Sequence, residues 1–117
     1  MNEELFKERT KKLALQVIEL VNELPLGQTA HVISMQLLRS ATSIGANYRA
    51  ACRGKSTADV LAKLAIVEEE ADESIYWLEL LRDSRLVPEA RVSEIIKEAN
   101  EITAMIVASI KTLRTRR

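Results

Sequence analysis

The sequence contains few residues that interrupt helices or form reactive sites. Among 117 residues there are three glycines, two prolines, one cysteine and one histidine, and aromatic residues make up 3% of the chain. Cys52 has no cysteine partner for an intramolecular disulfide, and a lone cysteine is more often a small buried apolar residue than a nucleophile. The composition therefore does not suggest a secreted, disulfide-stabilised domain.

Long apolar runs are also missing. The longest span a few residues, against the roughly 20 needed to cross a bilayer, and the N-terminal MNEELFKERTKK lacks the apolar core of a signal peptide. Hydrophobic residues make up 47% of the chain and charged residues 29%, as in globular domains. We expect a cytoplasmic protein with a single domain over residues 1–117.

Glycine and proline divide the chain into segments of helical length. Pro25 and Gly27 precede the second segment, Gly54 ends it, and Pro88 lies in the first turn of the fourth, where its missing N–H costs no hydrogen bond. Only Gly45 lies inside a segment. These breaks predict four helices, over residues of about 3–24, 29–53, 57–84 and 88–114.

Apolar residues recur in each segment at spacings of three and four, as on one face of an amphipathic helix. The fourth segment has the most regular pattern, with Val92, Ile95, Ala99 and Ile102 on one face. Short links make consecutive helices pack side by side, and no segment has the pattern of a strand. We therefore expect an all-α fold, an antiparallel up-and-down four-helix bundle with an aliphatic core.

Charge is distributed unevenly although the net charge is zero. Residues 26–56 hold four basic and no acidic side chains, a balance of +4, whereas residues 57–87 hold three basic and eight acidic side chains, a balance of −5. The second and third helices therefore carry opposite charge. Charge alone favours complementary neighbours within one bundle, where exposed pairs contribute only about 0 to 1 kcal/mol each.

A second surface is predicted on the sides of these two helices that face away from the core. Small residues lie there on the second helix, and on the third an apolar stripe with the only tryptophan is interleaved with carboxylates. Such a stripe favours contact with another subunit, in which Glu69 and Glu73 would meet Arg49 or Arg53 of the next copy. The candidate interface residues are Arg39, Ser43, Ala46, Asn47, Ala50, Ile66, Glu69, Glu73, Trp77 and Leu80.

Catalytic and metal sites have little support. His31, the only histidine, lies at the start of the second helix, where a capping or surface role is expected. Carboxylate di-metal sites in bundles use Glu-x-x-His on partner helices, and that motif is absent. No glycine-rich phosphate loop or nucleophile triad pattern occurs either. We expect no enzymatic activity, no metal and no cofactor.

Basic clusters suggest nucleic acid as a partner. The chain ends KTLRTRR, and a second cluster lies at the end of the second helix. Such clusters neutralise phosphates without reading sequence. The candidate RNA- or DNA-binding residues are Arg49, Arg53 and Lys55, with Arg114, Arg116 and Arg117 as auxiliary contacts. The alternative is a protein interaction scaffold that binds no nucleic acid and uses Arg49 and Arg53 between subunits.

Two runs carry a family resemblance, LLRSATSIGANYRAACRGKS and DVLAKLAIVEEEADESIYWLELL. They resemble the 23S rRNA intervening-sequence protein family and its relative, the accessory variability protein of diversity-generating retroelements. The most specific matching positions are Arg39, Ser40, Ser43, Ile44, Asn47, Gly54 and residues 65–73. The resemblance implies an up-and-down bundle that assembles as a homopentameric ring, with no known enzymatic activity and a suspected nucleic-acid or ribonucleoprotein role.

This chain departs from the resemblance in two respects. Arg49, Ala50 and Ala51 stand where many family members have alanine, glutamate and glycine. The retroelement relative is strongly basic and partners a reverse transcriptase and RNA, whereas this chain has no net charge. The expected protein is a cytoplasmic, non-enzymatic homo-oligomer, pentameric by resemblance, with RNA, DNA or a protein as partner and no membrane association.

Overall fold

The computed structural model describes residues 2–116 and contains four α-helices and no strand within that range. The helices are α1 (Glu3–Asn22), α2 (Gln28–Cys52), α3 (Thr57–Asp83) and α4 (Glu89–Thr115). Each packs against its neighbours in the chain, and α4 packs against α1, in a bundle of 48 × 21 × 20 Å. The predicted all-α four-helix bundle is confirmed. None of the described helices has an apolar stretch long enough to cross a membrane.

Helix ends follow local hydrogen bonding. The Asn2 side chain accepts the Leu5 N–H at 3.1 Å and begins α1. At the other end, the N–H groups of Glu23 and Leu24 donate to carbonyls three residues back, so the last turn tightens. The residue before a proline is driven out of the helical region, and Leu24 precedes Pro25. The helix α1 therefore ends at Asn22 rather than at about residue 24.

The core is aliphatic, as the sequence predicts. Leu13, Leu37, Leu78 and Ile102 are completely or almost completely buried and come from four different helices. Such side chains fill bundle layers without rings. The aromatic exception is an edge-to-face pair at one end of the bundle, in which the rings of Phe6 and Tyr48 lie 4.6 Å apart.

Small polar residues bring α2 close to its neighbours. The hydroxyl oxygens of Ser40 and Ser74 are buried and lie 2.9 Å apart, between α2 and α3. The Ser74 hydroxyl also lies 2.8 Å from the Glu70 carbonyl oxygen, so burial leaves no unsatisfied polar group there. This hydroxyl pair fixes the register of α2 against α3.

Glycine at position 45 is explained by the close packing of α2 on α1. A Cβ atom at this position would lie 3.2 Å from Thr10 Oγ1. Thr10 is completely buried, and its hydroxyl donates to the Phe6 carbonyl at 3.0 Å. A glycine in a helix interior costs roughly 1 kcal/mol relative to alanine, and here it allows the two backbones to approach.

Ion pairs close the bundle between α1 and α4. Arg9 donates to both carboxylate oxygens of Glu98, at 2.6 and 2.9 Å, and to Glu101 at 2.6 Å. Arg91 donates in the same two-point manner to Glu23, at 2.7 and 2.8 Å. Such two-point geometry fixes orientation as well as distance. The two pairs therefore hold α1 in register with α4.

We expect Gly45→Leu to destabilise the fold by about 1 to 3 kcal/mol, because the larger side chain overpacks the contact with Thr10. Urea unfolding at a fixed protein concentration measures this change. The matched control is Thr42→Leu at an exposed position of the same helix, which should change stability by less than about 0.5 kcal/mol. Equal effects of the two substitutions would contradict a tight contact at Gly45.

Candidate functional site

The antiparallel topology brings the two basic clusters of the sequence to one end of the bundle. The C-termini of α2 and α4 and the α2–α3 turn all lie there, and Arg116 and Thr112 border the same cleft as Cys52 and Val60. We name this surface the basic end, defined by Arg49, Arg53, Lys55, Lys111, Arg114 and Arg116. The sixth predicted nucleic-acid residue, Arg117, lies outside the described residues.

The side chains of the basic end are exposed and unpaired. All of its defining residues are exposed, and none forms a salt bridge with another residue in the range 2–116. The nearby carboxylates are partly neutralised, since Glu3 and Glu4 share the single cation of Lys7, and Asp59 contacts Lys63. The six cations of the basic end therefore outnumber the negative charge that remains on Glu3 and Glu4.

Hydrogen bonds and close packing fix the backbone of the α2–α3 turn, which carries two of these cations, Arg53 and Lys55. Asp59 accepts the Lys55 backbone N–H at 3.1 Å, while the Ser56 hydroxyl accepts the Asp59 N–H at 3.1 Å. A Cβ atom at Gly54 would lie 2.4 Å from Val60 Cγ2 and 3.1 Å from the Ala51 carbonyl oxygen. No side chain fits there without a shift, so glycine is required between Arg53 and Lys55.

Cations at this end also stabilise the fold. Arg49 lies in the last turn of α2 and Arg114 in the last turn of α4. A positive charge near a helix C-terminus contributes about 0.3 to 1 kcal/mol through the helix dipole. Any test of binding at these positions therefore needs a parallel measurement of stability.

A cleft of about 580 Å³ lies at the basic end between α2, α3 and α4. Its apolar wall includes Ala51, Leu64 and Leu113, and Arg116 stands at its border. The cleft was not predicted from the sequence. The sequence feature that could have indicated it is Ser109, whose hydroxyl interrupts the otherwise apolar stripe of α4.

Two ionisable groups line the cleft and stay neutral at physiological pH. Burial is the main cause that raises the pKa of the Tyr48 hydroxyl above its ordinary value of 10.0. Burial likewise raises the pKa of the Cys52 thiol above 9.0. The interior of the cleft is therefore uncharged, and its formal charge lies at the Arg116 border.

The outer face of α3 is less exposed than its helical pattern predicts. Ile66 and Tyr76 are exposed, at 39% and 54% of their surface, but Trp77 and Leu80 are partly buried and pack against the core. The indole N–H of Trp77 donates to Glu73, one turn earlier on the same helix, at 3.0 Å. The expectation that Trp77 and Leu80 face away from the core is wrong in part, because both side chains are partly buried and pack against core residues.

Arg39 and Glu73, both predicted at a subunit interface, meet within one chain. Arg39 donates to Glu70 at 3.0 Å and also to Glu73. Hydrogen bonds from Trp77 and then Arg39 lower the pKa of the Glu73 carboxyl below 4.5. Since Glu73 already has two partners, Glu69 is the member of that carboxylate pair without a salt bridge among the described residues.

The small residues of α2 are largely engaged within their own helix. Ser43 donates to the Arg39 carbonyl at 2.7 Å, and the Asn47 side chain donates to the Ser43 carbonyl at 2.9 Å. Ser43, Asn47 and Ala50 are partly buried and Ala46 is exposed. Their small size leaves room beside α2, and their polar groups do not need a second subunit for satisfaction.

The only histidine is not part of a metal-binding group in residues 2–116. His31 is exposed at the start of α2. In the same range, no three side chains of the histidine, cysteine or acidic type lie close enough to hold a metal ion.

Comparison with known proteins identifies a family and a solved structure of similar fold. The family model described as 23S rRNA-intervening sequence protein matches residues 4–108. A crystal structure from Bacteroides thetaiotaomicron VPI-5482, described as a protein with unknown function from the S23 ribosomal protein family, is 36% identical. It covers 95% of this chain and 99% of its own, with a TM-score of 0.87. No curated protein matches the chain significantly.

We expect Gly54→Ala to destabilise the protein by about 1 to 2 kcal/mol, since its Cβ would collide with Val60. Val60→Ala removes the colliding Cγ2 atom. The double variant should therefore lose about 1 kcal/mol less than the sum of the two single changes, measured by urea unfolding. Simple additivity would show that the turn accommodates a side chain by another route.

Proposed function

The chain belongs to the 23S rRNA-intervening sequence protein family, and we propose that it is a non-enzymatic, self-associating bundle that binds nucleic-acid phosphates. The observation that carries this proposal is the convergence of unpaired, exposed cations on one end of the bundle. The protein acts in the cytoplasm and needs no cofactor. The family name makes ribosomal RNA the first nucleic acid to test.

Phosphate recognition fits the chemistry of the basic end. Lysine and arginine neutralise phosphates and release counterions, which gives strong, salt-dependent binding. The defining residues come from α2, the α2–α3 turn and α4, so they are spread over a surface rather than gathered around a single anion. Contacts of this kind position a nucleic acid and carry no sequence information by themselves.

Self-association would use the outer face of α3. Ile66 and Tyr76 are its exposed large apolar residues, and Glu69 adds a carboxylate that is free of salt bridges to the described residues. Exposed apolar residues rimmed by polar groups are typical of protein interfaces. The resemblance found in the sequence implies a homopentameric ring, and we adopt that assembly in the proposal.

A cyclic assembly would give the basic end its affinity. In a closed ring every copy points the same way along the symmetry axis, so all basic ends lie on one side. Binding of one copy then raises the effective concentration of the others at the same nucleic acid. A phosphate contact that is weak in one chain becomes useful when it is repeated around the ring.

The second candidate is a protein interaction scaffold without nucleic-acid binding. The exposed Ile66 and Tyr76 favour it, since the same face of α3 could hold another protein. A relation to retroelement accessory proteins would instead add a reverse transcriptase as a protein partner beside RNA. The distribution of unpaired charge leads us to place nucleic acid first.

We expect Arg53→Gln with Lys55→Gln to reduce the dependence of RNA binding on salt. Each lost phosphate contact lowers the slope of log K against log salt by about 0.7 on single strands, so two lost contacts lower it by about 1.4. The matched control is Lys11→Gln with Lys97→Gln, which removes two exposed cations that have no described ion pair away from the basic end. Fluorescence anisotropy with labelled ribosomal RNA measures the slopes.

Equal slopes for the two double variants would contradict a phosphate site at the basic end. Arg53→Glu separates the two roles considered for this residue. With a phosphate role, the oligomer persists in sedimentation equilibrium and binding is lost. With an interface role, the oligomer itself becomes smaller.

We expect Ile66→Ser with Tyr76→Ser to lower the molar mass of the assembly in sedimentation equilibrium, because both changes remove apolar surface from the outer face of α3. Leu15→Ser with Leu26→Ser is the control, since these leucines are also exposed but lie on α1 and in the α1–α2 link. An unchanged mass for the α3 variant would place self-association on another face.

A further inference from the structure

The cleft at the basic end differs chemically from the cations around it. A phosphate site needs no apolar depression, yet Ala51, Leu64 and Leu113 line one of about 580 Å³. That volume lies within the range of about 300 to 1,000 Å³ found for small-molecule sites. The combination of an apolar interior with a cation at the border suits a ligand that has a flat apolar body beside an anionic group.

Two hydroxyls in the cleft are available to such a ligand. Elsewhere on α4, Thr103 donates to the Ala99 carbonyl at 2.8 Å and Thr115 donates to the Thr112 carbonyl at 2.7 Å. The hydroxyls of Ser109 and Thr112, which line the cleft, form no hydrogen bond with any group in residues 2–116. They can therefore donate to, or accept from, the polar edge of a ligand.

The cations at the border of the cleft indicate which anionic group the ligand carries. Arg116 borders the cleft, and Arg114 and Lys111 lie on the same last turns of α4. None of these has an ion pair with a described residue, while Tyr48 and Cys52 keep the interior neutral. The field at the border therefore favours a phosphate that stays outside while an uncharged group enters.

We propose that the cleft holds one unpaired nucleobase of a single-stranded nucleic acid while Arg116 contacts an adjacent phosphate. The base lies against aliphatic side chains, and Ser109 and Thr112 meet its polar edge. A base within a duplex is stacked and paired and cannot enter, so duplexes bind through phosphates alone. This inference rests on the proposed phosphate-binding function, because it adds base contacts to the same surface.

The test compares three fluorescein-labelled probes of equal length in anisotropy titrations with the full chain. They are a single-stranded oligodeoxyadenylate, an oligomer whose sugars are all tetrahydrofuran abasic sites, and a duplex. The phosphate charge per strand is the same in the two single strands. If a base enters the cleft, the oligodeoxyadenylate binds about tenfold more tightly than the abasic oligomer, the scale of one buried base contact.

A pair of variants tests whether the preference for bases arises in the cleft. Ala108→Trp fills the cleft from an exposed position and should remove the preference for bases while it leaves abasic binding unchanged. Ala104→Trp adds the same bulk one turn away, at an exposed position that borders a different groove, and should keep the preference. Thermal unfolding of both variants checks that the bundle is intact.

The outcomes separate this inference from the proposed function. Equal, salt-sensitive binding of the oligodeoxyadenylate and the abasic oligomer overturns the cleft proposal and leaves phosphate binding in place. A base preference that survives Ala108→Trp also overturns it. Failure of all three probes to bind at low salt overturns the phosphate-binding function and the cleft proposal together.

Discussion

The contact between α2 and α3 determines where the other parts of the molecule lie. Its register depends on the buried hydroxyls of Ser40 and Ser74, 2.9 Å apart, and on the turn in which Gly54 packs against Val60. Larger side chains at these positions would force the helices apart. With the register set, Arg39 reaches Glu70 and Glu73, and the C-terminus of α2 comes level with the end of α4.

The same register divides the charges of the bundle into two groups. Along the helices, carboxylates face cations of neighbouring helices, as in the pairs of Arg9 with Glu98 and Arg91 with Glu23. At the basic end Lys7 offsets part of the charge of Glu3 and Glu4, Lys63 pairs with Asp59, and the defining cations form no salt bridge within residues 2–116. A chain of zero net charge thus has a positive surface at this end, because its carboxylates are most concentrated in residues 57–87.

The sequence allowed much of this architecture to be predicted. Regular apolar spacing and the breaks at Gly27, Gly54 and Pro88 gave four helices with ends close to those observed. Exposure on α3 was harder to predict, because helical spacing assigns Trp77 a direction but does not show how far its large ring reaches back to the core. Salt-bridge partners also escaped prediction, since Arg39 can meet Glu73 within the chain only at one particular register.

The basic residues of the candidate site were predicted from the sequence, but the cleft between them was not. The basic clusters stand out in the sequence, whereas their meeting at one end depends on the up-and-down topology, in which α2 and α4 run in the same direction and their C-termini share one end. The cleft between them is lined by side chains from α2, α3 and α4, and the periodicity of a single helix does not describe their combined surface. Function at this end therefore rests on tertiary placement more than on any motif.

Lysine protection tests the central claim, that the basic end contacts phosphate, without substituting any residue. The chain is acetylated briefly with and without ribosomal RNA, and modification at each lysine is measured by mass spectrometry. Phosphate contact at the basic end predicts strong protection of Lys55 and Lys111, with little change at Lys12 and Lys97 on the sides of the bundle. Uniform protection, or protection confined to Lys12 and Lys97, would contradict the account.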